Sequence, residues 1–506
     1  MNAPSRRRRL FGGWSANLVL TLLGISQQIL LVPVFLHFSS SDVLAGWLAL
    51  YAAGNLMIVA DAGLHARALN RFLAFKASVD CDGRTRHFYD AMLWVYFGLV
   101  AVLGLLLLIG LYFLPPSDIL GFRATPQFDA AFVVMTLASL LALPSNLPSA
   151  LYRARGNYGR VVWLQNGAML AAQFAQLLAI VANGGLLAVS VAYVSVQLLV
   201  AIYLVAVDAP RLYPFLRHGR RGRPSWRWSI GQLRLGFPFA VAGATEIALV
   251  NAPVLLVSAF VSGRMAVAQW GLTRLIAGLV RTLCLQVTLP LAAELGHDHA
   301  VGDKARLRDL YARGSVFVTV LASLAVSGLL PFWQDFFALW TRDSVVYDPL
   351  LAITLLIGSS AVAPSILALS FANYSNRGDL LVRTKGLQLV VFLALSVVLI
   401  PAMGPLGAAI AIVASDLLVQ FGLLMLSIVG GTLQHPLRHI ALLVVISTVV
   451  VVSGWGLGTA IRWLVPGSGV LHFVVECAVW SIAAGLAASP LAIKRVREAL
   501  IAAIPR

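Results

Sequence analysis

The chain has 506 residues, of which 60% are apolar and only 11% are charged, and its mean hydropathy is +0.88. Soluble domains carry about 25% charged residues, so 37 Lys and Arg with 20 Asp and Glu cannot cover a soluble protein of this size. The composition excludes a soluble enzyme, a disordered chain and a secreted disulfide scaffold. It predicts an all-α polytopic membrane protein.

The net charge is +17, which in a soluble protein would suggest a nucleic-acid partner. No basic stretch here is long enough to form a nucleic-acid-binding domain, and cytoplasmic loops of membrane proteins are rich in Lys and Arg. We therefore expect no nucleic acid. The three cysteines, Cys81, Cys284 and Cys477, fit neither a metal site nor a disulfide framework, so we expect no metal either.

A bilayer crossing needs about 20 apolar residues, and charge-poor runs of that kind occur fourteen times along the chain. The first follows Arg6–Arg9 and is too long for a cleaved signal peptide. Turns rich in Gly and Pro separate the tightest pairs, at 183–185 and 401–405. The runs, numbered here as spans 1 to 14, lie near residues 14–37, 43–64, 89–113, 128–151, 160–182, 185–207, 235–262, 265–291, 312–333, 349–373, 380–401, 405–430, 438–460 and 470–492.

The distribution of positive charge predicts the orientation of these spans. With the N-terminus in the cytoplasm, 31 of the 37 Lys and Arg residues fall in cytoplasmic segments and only four fall outside. The remaining two, Arg274 and Arg281, lie within span 8. Because cytoplasmic loops retain positive charge, this bias predicts that both termini are cytoplasmic and that the number of spans is even. In a bacterium the membrane would be the inner membrane.

Repeated motifs divide the spans into two similar sets. Pro33–Leu36 in span 1 recurs as Pro253–Leu256 in span 7, 220 residues later, and six residues within 182–198 recur at the same offset. Trp47 in span 2 matches Trp270 in span 8 at offset 223. Six spans separate the copies, so the repeats share one topology, as in transporters with a central site between two lobes.

These repeats predict four parts of the chain. Residues 1–208 form an N-terminal lobe of six helices, and 235–431 form a C-terminal lobe of six. Between them, 209–234 is a basic cytoplasmic linker on the anionic inner leaflet, since its Arg217–Arg223 run cannot pack in a core. Residues 432–506 add two helices, spans 13 and 14, and a cytoplasmic tail. The predicted fold is therefore fourteen transmembrane helices in two pseudo-symmetric six-helix lobes plus two C-terminal helices.

Ionisable residues within membrane spans are costly and usually face a cavity or a partner. Arg274 and Arg281 are seven residues apart, which is two helical turns, so they share one face of span 8. Guanidinium groups bind phosphate oxygens in a bidentate way and stay charged when buried. We interpret them as a cationic lining for an anionic cargo. The alternatives are a structural pair with Glu246 of span 7, or snorkelling to the interface.

Other polar groups within the spans are weaker candidates. Asp61 with His65, and Arg67 with Arg71, mark the end of span 2 as a cavity mouth that docks an anionic headgroup, or as a solvated helix end. Three carboxylates are candidates for ion coupling or for structural hydrogen bonds: Asp61, Glu246 and Asp416. The amides of Gln27 in span 1 and Asn251 in span 7 suit either sugar hydroxyls or helix–helix contacts.

Several catalytic motifs are missing from the sequence. There is no Gly-rich loop ending in Gly-Lys-Ser/Thr, no His-Glu-x-x-His and no nucleophile elbow. The Gly454–Gly458 stretch is a small-residue stripe on a helix rather than a nucleotide loop. We therefore predict that the protein is not an enzyme and uses no cofactor.

Five motifs carry a resemblance to a known family. Span 1 begins with Gly13-Trp14 and ends with Leu31–Leu36, span 2 opens with Ala45-Gly46-Trp47 and closes with Asp61–Leu64, and the late hairpin reads Gly404–Ala409. In these motifs the chain resembles the O-antigen and polysaccharide flippases of the multidrug/oligosaccharidyl-lipid/polysaccharide exporter superfamily. The likeness in helix count covers the whole chain, and the motifs concentrate in its first 75 residues.

This resemblance implies a flippase that moves a polyprenyl-pyrophosphate-linked oligosaccharide across the inner membrane, for surface polysaccharides such as lipopolysaccharide, by alternating access of a cationic central cavity. It implies that Arg274 or Arg281 lines that cavity. Fourteen spans also fit peptidoglycan lipid II flippases, while span 1 lacks the acidic residue of the drug-exporting branch. The alternatives are a peptidoglycan-precursor flippase and an ion-coupled small-molecule antiporter. Expected partners are the lipid-linked oligosaccharide, membrane lipids, and the glycosyltransferases and polymerase of the same pathway; we expect a monomer.

Overall fold

The computed structural model of the chain describes residues 19, 21–24, 26, 30–75, 80, 82–217, 224–261, 263–375, 377–465, 467 and 469–492. These residues form helices and connecting turns, with no strand among them. Thirteen of the described helical segments are long and apolar enough to cross a membrane, and they correspond to spans 2 to 14. The predicted all-α polytopic membrane protein is confirmed. Part of span 1, including residues 14–18 and 27–29, lies outside the described residues.

The helices are numbered in chain order. The first eleven are α1 (30–38), α2 (Ser41–Leu56), α3 (Leu64–Ala74), α4 (Arg84–Phe113), α5 (Pro116–Ile119), α6 (Phe128–Ala142), α7 (Asn146–Ala154), α8 (Tyr158–Val181), α9 (Gly185–Tyr203), α10 (Ala209–Leu212) and α11 (Trp226–Phe260). The next eight are α12 (Arg264–Val301), α13 (Lys304–Thr341), α14 (Pro349–Tyr374), α15 (Gly378–Met403), α16 (Pro405–Ser415), α17 (Leu426–Thr432), α18 (Pro436–Leu464) and α19 (Val470–Ala488).

Short segments of other helical geometry extend or join these helices. Turns of 3-10 helix cover Met57–Asp61, Leu143–Ser145, Pro214–Leu216 and Ser489–Ala492. Among the described residues two segments are π-helical, Leu204–Asp208 after α9 and Asp416–Met425 between α16 and α17. The first π segment ends on a buried aspartate and the second begins on one. A π turn inside a long helix frequently marks a functional position.

The chain forms two compact units, Met1–Ala268 and Gln269–Arg506, and the boundary falls inside α12. In the first unit α2 packs against α6, α9 and α11, while α8 packs along α9 and α3 packs against α7 and α11. In the second unit α13 packs against α14, α18 and α19, and α15 packs along α16. The two additional C-terminal helices therefore belong to the second unit, where they cover α13.

α11 packs within the first unit. The prediction assigns span 7 to the C-terminal lobe at 235–431, and in the structure α11 packs on α2 and α3. The reason is a close backbone crossing: a Cβ on Gly63 would lie 2.2 Å from the carbonyl oxygen of Gly236. α11 begins at Trp226, so its first residues belong to the segment 209–234 that is predicted as the linker. The pseudo-symmetry of the two sets of six spans remains a prediction.

Small residues let α18 approach α13 closely. A Cβ at Gly458 would lie 2.2 Å from Cγ of Pro331, and one at Gly454 would lie 2.5 Å from Oγ of Ser327. The indole Nε1 of Trp480 on α19 donates to the carbonyl oxygen of Gly454 at 2.9 Å. Stripes of this kind bring helix backbones together inside membranes, where packing rather than hydrophobicity drives association. The 454–458 stripe is thus a packing surface.

Gly458→Ala should destabilise the protein by about 1–3 kcal/mol, because the new methyl group has no space beside Pro331. We expect a lower Tm in thermal unfolding of the detergent-purified protein. Gly456→Ala is the matched control, since a Cβ there meets no atom within 4 Å. Equal Tm values for the two variants would contradict this packing of α18 on α13.

Candidate functional site

The two intramembrane arginines lie on one wall of a cleft in the second unit. Arg274 and Arg281 both line it from α12, as the two-turn spacing predicts. The opposite walls come from α14 and from the end of α16, which contribute Ser359 and Asp416 among other residues. The other lining residues are Leu355, Gly358, Val362, Ile366, Ile412 and Val413. The cleft therefore combines two guanidinium groups, one carboxylate and an apolar surround.

The carboxylate in this cleft faces Arg281. Nη1 of Arg281 lies 3.9 Å from Oδ2 of Asp416, and their side chains are 18% and 12% exposed. At this separation the charges attract one another without the short, paired contacts of a bidentate bridge. Asp416 opens the π-helical segment that continues α16. The structure thus brings together Arg274, Arg281 and Asp416, which the sequence analysis selected separately.

A buried lysine stands behind Asp416, and the sequence analysis missed it as a site residue. Lys385 on α15 is 1% exposed, and its Nζ donates to Oε1 of Gln388 at 2.9 Å and to Oε1 of Gln420 at 2.6 Å. Nε2 of Gln388 in turn donates to Oδ1 of Asp416. Nε2 of Gln420 donates to Oγ of Ser365 at 2.8 Å. A chain of polar groups therefore joins the Lys385 ammonium to the carboxylate of the cleft.

The sequence analysis counted Lys385 among the cytoplasmic positive charges because it lies near the predicted start of span 11. One signal was present: Lys385 and Gln388 are three residues apart, and Asp416 and Gln420 are four apart, so each pair shares a helix face. Two polar pairs in consecutive spans joined by a short hairpin indicate a buried network. Read in that way, the sequence would have placed Lys385 inside the bundle.

The cleft is small in this conformation. Its volume is about 20 Å³, and a cavity needs roughly 10–15 Å³ to hold one water molecule. A phosphate group is larger than one water, so an anionic ligand requires the arginine side chains or the surrounding helices to move. In this conformation the two guanidinium groups and the carboxylate therefore line a space that is large enough for a water molecule but too small for a phosphate.

Asp61 occupies the corner between α2 and α3 in the first unit. Its carboxylate accepts hydrogen bonds from the Tyr96 hydroxyl at 2.6 Å, the Asn146 amide at 3.0 Å and the His65 backbone N–H at 3.0 Å. Asp61 is 8% exposed. Three donors satisfy the hydrogen-bonding capacity of this buried carboxylate. The geometry favours a structural anchor that joins α2, α3, α4 and α7, and its proposed role in ion coupling remains a prediction.

The remaining predicted site residues are distributed over the first unit. Nε of Arg67 donates to Oε1 of Gln232 at 3.2 Å, while the guanidinium of Arg71 lies 4.7 Å from the centre of the Phe75 ring. Nδ2 of Asn55 on α2 donates to Oδ1 of Asn251 on α11 at 3.4 Å, so Asn251 takes part in a helix–helix contact.

Two candidates complete the set. Glu246 is half-buried on α11, beside Thr245, whose hydroxyl donates to the carbonyl oxygen of Val241 at 2.9 Å. Gln27 lies outside the described residues. A role for Glu246 in ion coupling and a role for Gln27 in binding cargo remain predictions.

Ion pairs in the first unit account for arginines that the charge rule counted only as cytoplasmic. Nη2 of Arg155 lies 2.5 Å from Oδ1 of Asp80, and its Nη1 donates to the carbonyl oxygens of Phe72 and Phe75. Nη2 of Arg160 lies 2.6 Å from Oδ1 of Asp208. Arg155 thus joins the end of α7 to the end of α3, and Arg160 joins the start of α8 to the π segment that follows α9.

His65 should make stability depend on pH. Nδ1 of His65 donates to the carbonyl oxygen of Asn146 at 2.9 Å, and burial lowers the pKa of this histidine below its usual value. Below about pH 6.5 the unfolded chain binds a proton more readily at this position than the folded protein does. We therefore expect the Tm to fall as the pH decreases from 7.5 to 5.

His65→Asn should flatten this part of the pH profile, since the amide can replace the donor but does not titrate. His87→Asn, at an exposed histidine on α4, is the control and should leave the slope unchanged. A slope that is the same in wild type and His65→Asn would rule out His65 as the titrating group.

The fold was compared with known proteins. Neither a protein-family model nor a curated protein matches the chain. The structure is similar to that of the lipid II flippase MurJ in an inward closed conformation, with a TM-score of 0.70 and 11% identity over 95% of this chain and 99% of that one. It is also similar to an inward-facing multidrug resistance MATE family transporter of the MOP superfamily, with a TM-score of 0.64 and 13% identity over 84% and 95%.

A third solved structure gives the same result. A mutant of the MATE transporter VcmN from Vibrio cholerae has a TM-score of 0.52 and 15% identity over 82% of this chain and 94% of that one. The chain therefore shares its fold with these solved structures. The resemblance inferred from the sequence is confirmed for the superfamily fold, and these neighbours are transporters rather than enzymes.

Proposed function

We propose that the protein is a flippase that translocates a polyprenyl-pyrophosphate-linked oligosaccharide across the bacterial inner membrane for surface polysaccharide assembly. One observation carries the proposal: two arginines on one stripe of a membrane-embedded helix share a cleft with a carboxylate that a buried lysine supports. The mechanism is alternating access of a cationic central cavity. The superfamily fold supports it.

The proposal follows from the energetics of the cargo. Each guanidinium costs about 2.5–3.5 kcal/mol at the bilayer centre on insertion scales, so two on one stripe need a compensating purpose. A pyrophosphate headgroup faces the same barrier, and guanidinium groups in a hydrated cavity lower it by replacing lost hydration with charge-assisted hydrogen bonds. The prenyl tail has no such barrier, because it can remain in the lipid.

A second candidate is a flippase for a peptidoglycan lipid precursor. The observation that favours it is the structural match to the lipid II flippase MurJ over 95% of this chain. Both cargoes present a pyrophosphate to the arginines and differ in their sugars. An ion-coupled small-molecule antiporter is the third candidate, with Asp61, Glu246 and Asp416 as its coupling carboxylates.

The cellular setting is part of the proposal. The protein lies in the inner membrane as a monomer with both termini in the cytoplasm, which the positive-charge bias supports. Its cargo would come from glycosyltransferases on the cytoplasmic face and pass to a polymerase outside. Arg67 and Arg71 would attract the headgroup at the cytoplasmic mouth, and Asn251 and Gln27 would contact its sugars.

Arg274→Ala should abolish translocation while leaving the protein inserted and folded. The assay is leaflet accessibility of a fluorescent lipid-linked oligosaccharide in proteoliposomes that contain the purified protein. Arg274→Lys should keep partial activity, because the charge survives while the bidentate fork is lost. A lipid II analogue run in parallel separates the two candidate cargoes, since the true substrate should move faster.

Arg383→Ala is the matched control for these variants, since it removes a guanidinium from an exposed position on α15. It should move cargo at the wild-type rate. Wild-type translocation of both cargoes by the double variant Arg274→Ala, Arg281→Ala, at equal reconstitution, would contradict the cationic-cavity mechanism.

The predicted orientation can be tested separately. A reporter fused after Arg506 should behave as cytoplasmic, and one inserted near Asp343 should behave as external, because the cytoplasmic segments hold most of the positive charge. An external signal from the C-terminal fusion would refute the orientation.

A further inference from the structure

Arg281 faces a carboxylate before any ligand arrives. Its Nη1 lies 3.9 Å from Oδ2 of Asp416, and both side chains line the cleft that Arg274 also lines. A phosphate that binds Arg281 must therefore take the place of Asp416 as the neighbouring anion. The 3.9 Å separation is longer than a direct charge-assisted hydrogen bond of about 2.7–2.9 Å, so this pair exchanges more readily than a bidentate one.

Asp416 has a second source of positive charge that does not depend on Arg281. Gln388 donates from Nε2 to Oδ1 of Asp416 and accepts at Oε1 from Nζ of Lys385. Gln420 accepts from the same Nζ through its Oε1. The Lys385 ammonium orients the Oε1 atoms of both amides towards itself. The carboxylate of Asp416 also orients the Nε2 atom of Gln388. Lys385 therefore stabilises Asp416 through one amide, from a position that is almost fully buried.

We propose that Asp416 is a resident anion that occupies Arg281 in the absence of cargo and yields it to the cargo's phosphate, while Lys385 holds the displaced carboxylate. This inference rests on the proposed function and specifies how its cationic site is emptied and filled. Asp416 is then a competitor of the phosphate rather than a coupling site for an external ion. Lys385 is a positioning residue that acts through Gln388.

Charge balance gives the exchange its direction. Two guanidinium groups in the cleft need a nearby anion when no cargo is bound, because an uncompensated charge inside the membrane is costly. When a phosphate arrives, Asp416 and the phosphate repel each other. A second cation near Asp416 offsets this repulsion by stabilising the carboxylate. After the phosphate leaves, Asp416 returns to Arg281 and lowers its affinity for the departing anion. The resident anion thus prevents the site from binding its cargo too tightly.

The test measures binding of two probes to the full-length protein in detergent. Inorganic pyrophosphate represents the headgroup alone, and farnesyl diphosphate represents a headgroup with a prenyl chain. Asp416→Asn should lower the Kd of both probes by about fivefold, because the competitor has lost its charge while its size is kept. A merely structural role for Asp416 would leave the Kd unchanged or raise it.

Lys385→Met should raise the Kd of both probes by about fivefold, because Asp416 then loses the positive charge that reaches it through Gln388 and competes more strongly for Arg281. Adding Asp416→Asn to that variant should return the Kd to the value of the single Asp416→Asn variant. Two control variants each remove a charge of the same sign from an exposed position on α15. Arg383→Met is the control for Lys385→Met and Asp379→Asn is the control for Asp416→Asn, and both should bind the probes as wild type does. Gel filtration checks folding, and Asp416→Asn alone decides if Lys385→Met does not fold.

The outcomes separate this inference from the function that it deepens. An Asp416→Asn variant that binds pyrophosphate as wild type does, or more weakly, overturns the resident-anion proposal. The proposed cationic site would still be supported in that case if Arg274→Ala abolishes binding. Binding of both probes that survives the double Arg274→Ala, Arg281→Ala variant contradicts the proposed function itself. Tighter binding of farnesyl diphosphate but not of pyrophosphate would also overturn the inference, since the effect would then involve the tail.

Discussion

A charge inside a membrane-embedded helix bundle must meet an opposite charge or a full set of hydrogen bonds, and this constraint organises the second unit. Asp416 accepts a hydrogen bond from Gln388 of α15 and faces Arg281 of α12. Lys385 donates hydrogen bonds to the amides of Gln388 and Gln420. Each of these groups alone would be expensive to bury. Together they fix how α12, α15 and the end of α16 meet, so the packing of these helices and the chemistry of the cleft have one origin.

The first unit meets the same constraint in a different way. Asp61 is buried like Asp416, but its partners are three neutral donors, and no cationic side chain is among them. Neutral donors hold a carboxylate permanently, while a guanidinium 3.9 Å away can be shared with another anion. This contrast is why we interpret Asp61 as a fixed anchor of the α2–α3 corner and Asp416 as the carboxylate that takes part in transport.

The sequence predicted the fold well because bilayer length, hydropathy and Gly–Pro turns act locally along the chain. It also predicted the shared face of Arg274 and Arg281, since helical periodicity is local as well. It failed where partners are distant: Tyr96 and Asn146 lie 35 and 85 residues from Asp61. The packing of α11 on α2 and α3 was not foreseen for a related reason. A basic linker shows where two segments are joined and gives no information on which helices they pack against.

Lys385 shows a further limit of sequence interpretation. A lysine near the end of a predicted span normally extends its amine to the interface, and the charge rule treats it in that way. Its burial depends on Gln388 and Gln420, which supply oxygens inside the bundle. A single residue carries no sign of such a network, and only the combined spacing of polar residues in two adjacent spans would have revealed it.

The π-helical segments have a consequence for how the chain tolerates insertions and deletions. A π turn contains an additional residue relative to an α turn, and each residue rotates the following helix by about 100°. Loss of one residue within Asp416–Met425 could convert the segment to a plain α-helix, which would leave Asp416 and Gln420 on different faces relative to α17. Leu204–Asp208 contains the same kind of additional residue in span 6, and span 6 is the counterpart of span 12 in the predicted repeat. The number of residues in these two helices is therefore constrained as strictly as the identity of their charged residues.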